Sequence, residues 1–283
     1  MYLLSDILYV IIYRIVGYRK KVVRDNLLRS FPEKGEKELR RIERRFYRHL
    51  CDIFLEGVYN LFASEKAIRK RYRVTNPELV NRYYEEGRTV VLMSAHYNDW
   101  EYMITTLCRQ FGHHGIGIGK ALESKFFEPR VYRRRTRFGT QVVYADTVRE
   151  EVAYYDRHHV PCALMMLSDQ SPSHARCYWT MFLNQETPFI YGAEKFARQY
   201  GYPVLYYRVD KVRRGHYTVT FSLICDDPLS VPQYWIVERY ARRLEEDICR
   251  QPEYWLWSHR RWKHKRPEET PLGLPSTSPQ PNN

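Results

Sequence analysis

The run Thr89-Val90-Val91-Leu92-Met93 constrains this chain more than any other stretch. It is apolar, rich in β-branched residues and short, which is the pattern of a buried strand. It gives way at once to Ser94-Ala95-His96-Tyr97-Asn98-Asp99-Trp100-Glu101, and then to Tyr102-Met103-Ile104-Thr105-Thr106-Leu107, whose apolar spacing suits a helix. Asn98 or Asp99 offers the short side-chain oxygen that caps such a helix by accepting from its unpaired amides. Strand, sharp turn and helix place His96 at the carboxyl end of the strand, where open α/β sheets hold their chemistry.

The same alternation recurs along the chain. Leu39, Ile42, Phe46, Leu50, Ile53, Phe54 and Leu61 recur at three- and four-residue steps and predict a long helix over 35–63, with Arg40, Arg41, Arg44, Arg45 and Arg48 opposite. A short helix is expected near 76–86. Gly115-Ile116-Gly117-Ile118-Gly119 lacks the spacing of a phosphate-binding loop and reads as a strand or turn. The segment 122–137 reads as a helix ending near Gly139, followed by a strand over 140–144 and a helix over 147–157. Pro161 to Leu167 is a second buried strand, ending in Ser168-Asp169-Gln170-Ser171-Pro172. Strands near 203–210 and 216–225 meet at Arg213-Arg214-Gly215 and predict a hairpin, and a helix is expected over 232–250. Strands alternating with helices predict an α/β fold with a mostly parallel central sheet flanked by helices.

His96 and Glu101 are five positions apart, with Glu101 in the first turn of the expected helix. A turn between them folds the imidazole toward the carboxylate. A carboxylate on one ring nitrogen fixes the tautomer and leaves the other nitrogen to take a proton. Asp99 is a competing partner. Spacing alone also fits a histidine satisfied by backbone and an ordinary acid favoured by the helix dipole. Asp169, at a strand's carboxyl end, either serves the site or caps the next turn.

The net charge of +13 points to an anionic partner. Twenty-five tyrosines, more than a core needs, suit a surface half apolar and half wet. The six cysteines form no C-x2-C pair and no zinc spacing, so they read as free thiols in a reducing compartment, with no metal expected. Residues 2–17 are apolar but interrupted by Asp6 and Arg14, and shorter than the roughly 20 apolar residues of a spanning helix. With Arg19, Lys20, Lys21 and Arg24 following, residues 1–24 read as a membrane-associated helix with a basic flank, and otherwise as an amphipathic helix packed on the fold. A globular unit is expected over 25–264 and a disordered tail over 265–283, rich in Pro, Ser and Thr. Near the end, Trp255, Trp257, Arg260, Arg261 and Trp262 interleave aromatics with cations. That suits a headgroup boundary, or stacked bases and phosphates in nucleic acid.

Several of these stretches together resemble one family. His96-Tyr97-Asn98-Asp99-Trp100-Glu101 is similar to the H-x-G-N-W-E form of the H-x4-D/E motif in the late acyltransferases of lipid A biosynthesis, with Asn98 and Asp99 in place of Gly and Asn. Tyr18 to Glu33 is similar to the segment after that family's membrane anchor. Arg135-Thr136-Arg137-Phe138-Gly139 resembles its basic element, Asp169-Gln170-Ser171-Pro172 its second motif, and Pro252 to Lys263 its terminal P-x-x-x-x-W-x-H-R-R-W-K signature. Phe182-Leu183-Asn184 and Thr187 to Ala197 also match.

The resemblance implies a glycerol-phosphate-acyltransferase-like fold and O-acyl transfer at the cytoplasmic face of the bacterial inner membrane. His96 would take the proton of an acceptor hydroxyl, with Glu101 balancing the imidazolium. Arg135 or Arg137 would meet phosphate or developing charge, and Asp169 would position a neighbour. The donor would be an acyl thioester, on acyl carrier protein or CoA, and the acceptor a lipid A precursor. The partners would be these and inner-membrane lipids, with no bound cofactor and no nucleic acid. The alternatives are an acyltransferase on another glycolipid or an aminolipid, or a non-catalytic basic membrane- or nucleic-acid-binding protein.

Overall fold

The structure, a computed structural model, describes residues 1–144, 146–172 and 177–274. Helix α1 (Tyr2–Tyr9) runs into a π-helical turn, Val10–Val16, that stops at Gly17 in the left-handed region. Then come α2 (Lys20–Ser30) and α3 (Glu36–Tyr59). The periodicity of α3 is the one read from sequence over most of its length, but Phe54 is exposed and the helix ends at Tyr59, before Leu61. Leu39, Ile42 and Phe46 are buried, and Arg40, Arg41, Arg44, Arg45 and Arg48 are exposed. After α4 (Glu65–Arg71), β1 (Tyr72–Val74) and α5 (Glu78–Glu85) comes β2 (Val90–Ser94), the strand expected before His96.

Helix α6 (Trp100–Gln110), β3 (His114–Gly119), α7 (Glu128–Thr136), β4 (Gln141–Tyr144), α8 (Val148–Arg157) and β5 (Cys162–Leu167) then alternate. The hairpin β6 (Tyr178–Phe182) and β7 (Gln185–Phe189) stands apart, turning through Leu183 and Asn184 with both φ angles positive. Last come α9 (Gly192–Tyr200), the antiparallel pair β8 (Val204–Arg213) and β9 (His216–Cys225), and α10 (Trp235–Arg250).

The central sheet has seven strands in the order β1-β9-β8-β2-β5-β3-β4, parallel throughout except between β8 and β9. β2 lies at its centre, and its side chains alternate between two apolar layers. Val91 and Met93 join one layer with α9 and α10; Val90 and Leu92 join the other with α5 and α6. The predicted α/β architecture is thus the observed one. The short pair α4–β1 and the β6–β7 hairpin went unread, because three to seven residues without a clear period carry little signal.

The contacts of the N-terminal segment leave its expected membrane association unsupported. Among the described residues no helix is long and apolar enough to cross a membrane. Instead α1 lies on α3, the packed alternative. Ser5 Oγ donates to Asp52 at 2.6 Å, and Tyr9 stacks on Tyr13, which meets Tyr47 of α3 at a tilt. Leu3, Leu4, Ile7, Ile15 and Val16 remain more than half exposed on its outer side. Of the expected tail, 265–274 lie against the β6–β7 hairpin, with Arg266 on Glu186 and the Gly273 amide on the Trp179 carbonyl; 275–283 lie outside the described residues.

Candidate active site

Two neighbouring strands build the site. In the parallel register of β2 and β5, Ser94 stands opposite Leu167. Two residues further along each chain are His96 and Asp169, so the register brings them together. The His96 backbone N–H donates to Asp169 Oδ2 at 3.0 Å, and ring Nδ1 lies 2.7 Å from Asp169 Oδ1. A carboxylate only accepts, so Nδ1 carries the hydrogen and Nε2 keeps its lone pair. The Gln170 amide nitrogen is 3.2 Å from that Nε2 and donates to it.

Asp169 is buried and receives a third hydrogen bond, from Trp255 Nε1 at 2.9 Å. Burial pushes its carboxyl up, but the His96 ring and the Trp255 and His96 N–H donors outweigh that and hold it below the usual value. The C-terminal segment closes the turn from outside. Tyr97 and Trp255 form an antiparallel bridge, the Leu256 amide donates to the His96 carbonyl at 3.1 Å, and the Asn98 amide donates to the Tyr254 carbonyl at 3.0 Å. Trp100 stands edge-on to the imidazole with ring centroids 4.9 Å apart.

The turn itself depends on Asn98 and Asp99. Asn98 sits at φ 55°, a left-handed conformation that Asn tolerates better than other side chains, and its Nδ2 donates to the Val209 carbonyl at 2.7 Å. Asp99 Oδ1 caps α6 by accepting from the Glu101 and Tyr102 amides, both at 3.1 Å. Asn and Asp therefore meet the two demands that a Gly-Asn pair would meet, positive φ and a cap.

Glu101 does not reach the His96 ring. Its carboxylate turns to α7, with Oε1 at 2.5 Å from Arg135 and Oε2 at 2.6 Å from Arg134. Burial pushes Glu101 up, yet the two guanidiniums bring it down to about 2. The carboxylate expected on His96 is thus Asp169. The reason is register: two parallel neighbours put residues 96 and 169 side by side, while Glu101 lies past the helix cap and faces a different element. Arg135 pairs with Glu101 beside Arg134, which the sequence reading did not single out from a run of three arginines. Arg137 turns away and donates to the Asn60 carbonyl at 2.5 Å.

The terminal aromatic–basic cluster also sits differently from its expected headgroup position. Trp255, Trp257 and Arg261 are all buried. Trp257 Nε1 donates to the Pro252 carbonyl, and Arg261 donates to the Pro188 carbonyl and lies over Phe189. Burial pulls the Arg261 guanidinium down to about 10, with the nearby Asp169 charge opposing. Trp262 is half-buried on Thr187; Arg260 is exposed. Of the N-terminal cations, Arg19 and Lys21 are exposed, Arg19 donating to the Ser258 carbonyl, while Lys20 lies over Tyr13. His259, seen in sequence only as part of a signature, accepts from the Ser171 amide at 3.0 Å and so holds the loop after Asp169.

Among the described residues no group of three or more His, Cys, Asp or Glu is placed to hold a metal ion. What the cluster offers is an oriented imidazole whose Nε2 accepts from the Gln170 amide and, on α7, two guanidiniums set by a buried carboxylate. No match was found among curated proteins. The family model described as bacterial lipid A biosynthesis acyltransferase, in contrast, matches residues 5–264. That match covers every element of the site, and the chain belongs to the bacterial lipid A biosynthesis acyltransferase family.

Proposed function

We propose that this acyltransferase moves a fatty acyl chain from a thioester, on acyl carrier protein or CoA, to a hydroxyl of a lipid A precursor. The observation that carries the reading is the His96–Asp169 pair, with Nδ1 on the carboxylate at 2.7 Å and Nε2 accepting from the Gln170 amide at 3.2 Å. An acceptor hydroxyl takes the place of the Gln170 amide and gives its proton to Nε2. The oxygen attacks the thioester carbonyl, forming a C–O bond. As the tetrahedral intermediate collapses the C–S bond breaks, and His96 returns the proton to the leaving thiolate. Asp169 balances the transient imidazolium. The thioester supplies the driving force, and the reading needs no bound cofactor.

Glu101 then works through Arg134 and Arg135. It anchors both forks so that their remaining N–H groups meet a phosphate of the acceptor or the developing oxyanion, which suits arginine geometry. Because Arg137 is engaged with Asn60, Arg135 is the better candidate of the two read from sequence. The exposed apolar side of α1 and the flanking Arg19 and Lys21 support peripheral attachment to the cytoplasmic leaflet of the inner membrane. The +13 charge suits both anionic lipid and an acidic carrier protein.

Mass spectrometry of lipid A from cells with the protein, without it and with His96→Ala tests the proposal. Loss of one acyl mass in both altered strains is expected, and the mass names the donor chain. General-base help is worth roughly 10²–10⁴ in rate, so the purified variant should lose about that much turnover. Normal lipid A in the His96→Ala strain would refute the mechanism.

A further inference from the structure

At the catalytic turn lies a pair of carboxyls that the chemistry above does not use. Asp99 is 1% exposed. Its Oδ1 is occupied by the two α6 amides it caps, but its Oδ2 is buried with no hydrogen-bond donor. Against it stands Glu56 of α3, also fully buried. The two oxygens of Glu56 accept from tyrosine hydroxyls, Oε1 from Tyr2 at 3.0 Å and Oε2 from Tyr217 at 2.7 Å.

Two bare carboxylates facing each other in a dry interior repel strongly, and a single shared proton turns that repulsion into a hydrogen bond. Its location follows from the donors present. Glu56 is solvated as an anion by two hydroxyls, whereas Asp99 Oδ2 has nothing to accept. We propose that Asp99 carries a proton on Oδ2 and donates it to Glu56, making this acid pair the positioning element that fastens the catalytic turn to α3.

The surroundings agree. Burial, then the Glu56 charge, push Asp99 well up, and burial raises Glu56 against the opposing effect of its tyrosine donors. Glu101 adds a further negative charge on the α6 side. The cations facing the pair are committed elsewhere: Arg71 of α4 donates to Tyr2, and Lys211 of β8 pairs with Asp52. Tyr72 of β1 and Tyr102 of α6 complete the wall, with ring centroids 5.9 Å apart. The same turn of α3 is also tied to α6 and to the end of α7. The Gly57 carbonyl accepts from Arg134, the Asn60 carbonyl accepts from Arg137, and Asn60 Nδ2 donates to Thr105 of α6. Through Glu56 the chain of bonds also reaches Tyr2, at the start of α1.

The folded-state affinity of the pair for its proton is raised, so the native state binds more protons than the unfolded chain above the ordinary carboxyl range. Stability from this pair is therefore fully present below that range and falls as pH rises toward the folded value. Asp99→Asn keeps the Oδ1 cap and gives Glu56 a permanent N–H donor. Its melting temperature should exceed that of the natural protein, by a margin that widens from about pH 5 to about pH 8. Infrared spectra of the whole protein at neutral pH should show a protonated-carboxyl band that both Asp99→Asn and Glu56→Gln abolish. Any relevance to turnover rests on the acyl-transfer reading. There Asp99→Ala should lower kcat, and Asp99→Asn should restore most of the loss.

The infrared and melting measurements need no substrate, so they stand or fall separately from that reading. A margin constant with pH, an Asp99→Asn protein less stable than the natural one, or a carboxyl band surviving in Glu56→Gln would overturn the shared proton. An Asp99→Asn protein no better than Asp99→Ala in kcat would overturn the positioning role.

Discussion

Replacing Asp169 by Asn changes one oxygen to a nitrogen and keeps the shape, so it isolates what the carboxylate does. In the native site the two oxygens accept three hydrogen bonds, from His96 N, His96 Nδ1 and Trp255 Nε1. An amide retains one accepting oxygen and presents an NH2 to the remaining donors. If its oxygen faces the His96 backbone N–H and Trp255, its N–H points at Nδ1 and forces the tautomer with the hydrogen on Nε2. The base is then lost. If the oxygen faces Nδ1, two buried donors meet a donor, costing about 1–3 kcal/mol each. The change also removes the charge that offsets buried Arg261. General-base help is worth roughly 10²–10⁴, or about 3–5 kcal/mol of barrier. Asp169→Asn should therefore lose about that factor in kcat, with KM for the acceptor little altered and the melting temperature lowered. The assay is acyl transfer from a thioester to a lipid A precursor, beside thermal unfolding. A variant retaining turnover within tenfold, while Glu101→Gln loses a thousandfold (about 4 kcal/mol), would refute the reasoning. That outcome would make Glu101 the carboxylate that orients His96 in the working enzyme.

Further outcomes follow from other parts of the site. Glu101 is lowered from 4.5 to about 2, so it contributes stability that is present above the ordinary carboxyl range and lost as pH falls through about 2. Glu101→Gln should flatten acid unfolding across that window, followed by circular dichroism against pH. Asn98, at φ 55°, should accept Gly but not Val; Asn98→Val loses about 1–2 kcal/mol from the left-handed backbone alone, beside the lost bond to Val209, and chemical denaturation measures both. Trp255→Phe keeps the ring packing but removes a donor from Asp169, so turnover should fall while vesicle binding stays constant. Ile7→Ser with Ile15→Ser should weaken sedimentation with anionic vesicles and leave the melting temperature nearly unchanged, because both side chains are more than half exposed.

What the sequence determined on its own was local. The apolar run before His96, a cap at Asn98 or Asp99, the period of α3 and the hairpin at Arg213 to Gly215 are each written within a few residues, because strand alternation, capping and turn chemistry act between neighbours. The same locality put His96 and Asp169 at strand ends. It did not pair them, since they are 73 positions apart and meet only because β5 packs beside β2 in register. Glu101, five positions from His96, was the nearer choice in sequence, yet α7 brings Arg134 and Arg135 to it instead. The terminal tryptophans show the same limit. An aromatic–basic cluster has one composition whether it faces lipid headgroups or fills a core in which every indole N–H finds an acceptor. Here Trp255 and Trp257 are in the core, one bonded to Asp169 and the other to Pro252. Which of the two holds depends on what packs over the cluster, and that is a property of the folded chain alone.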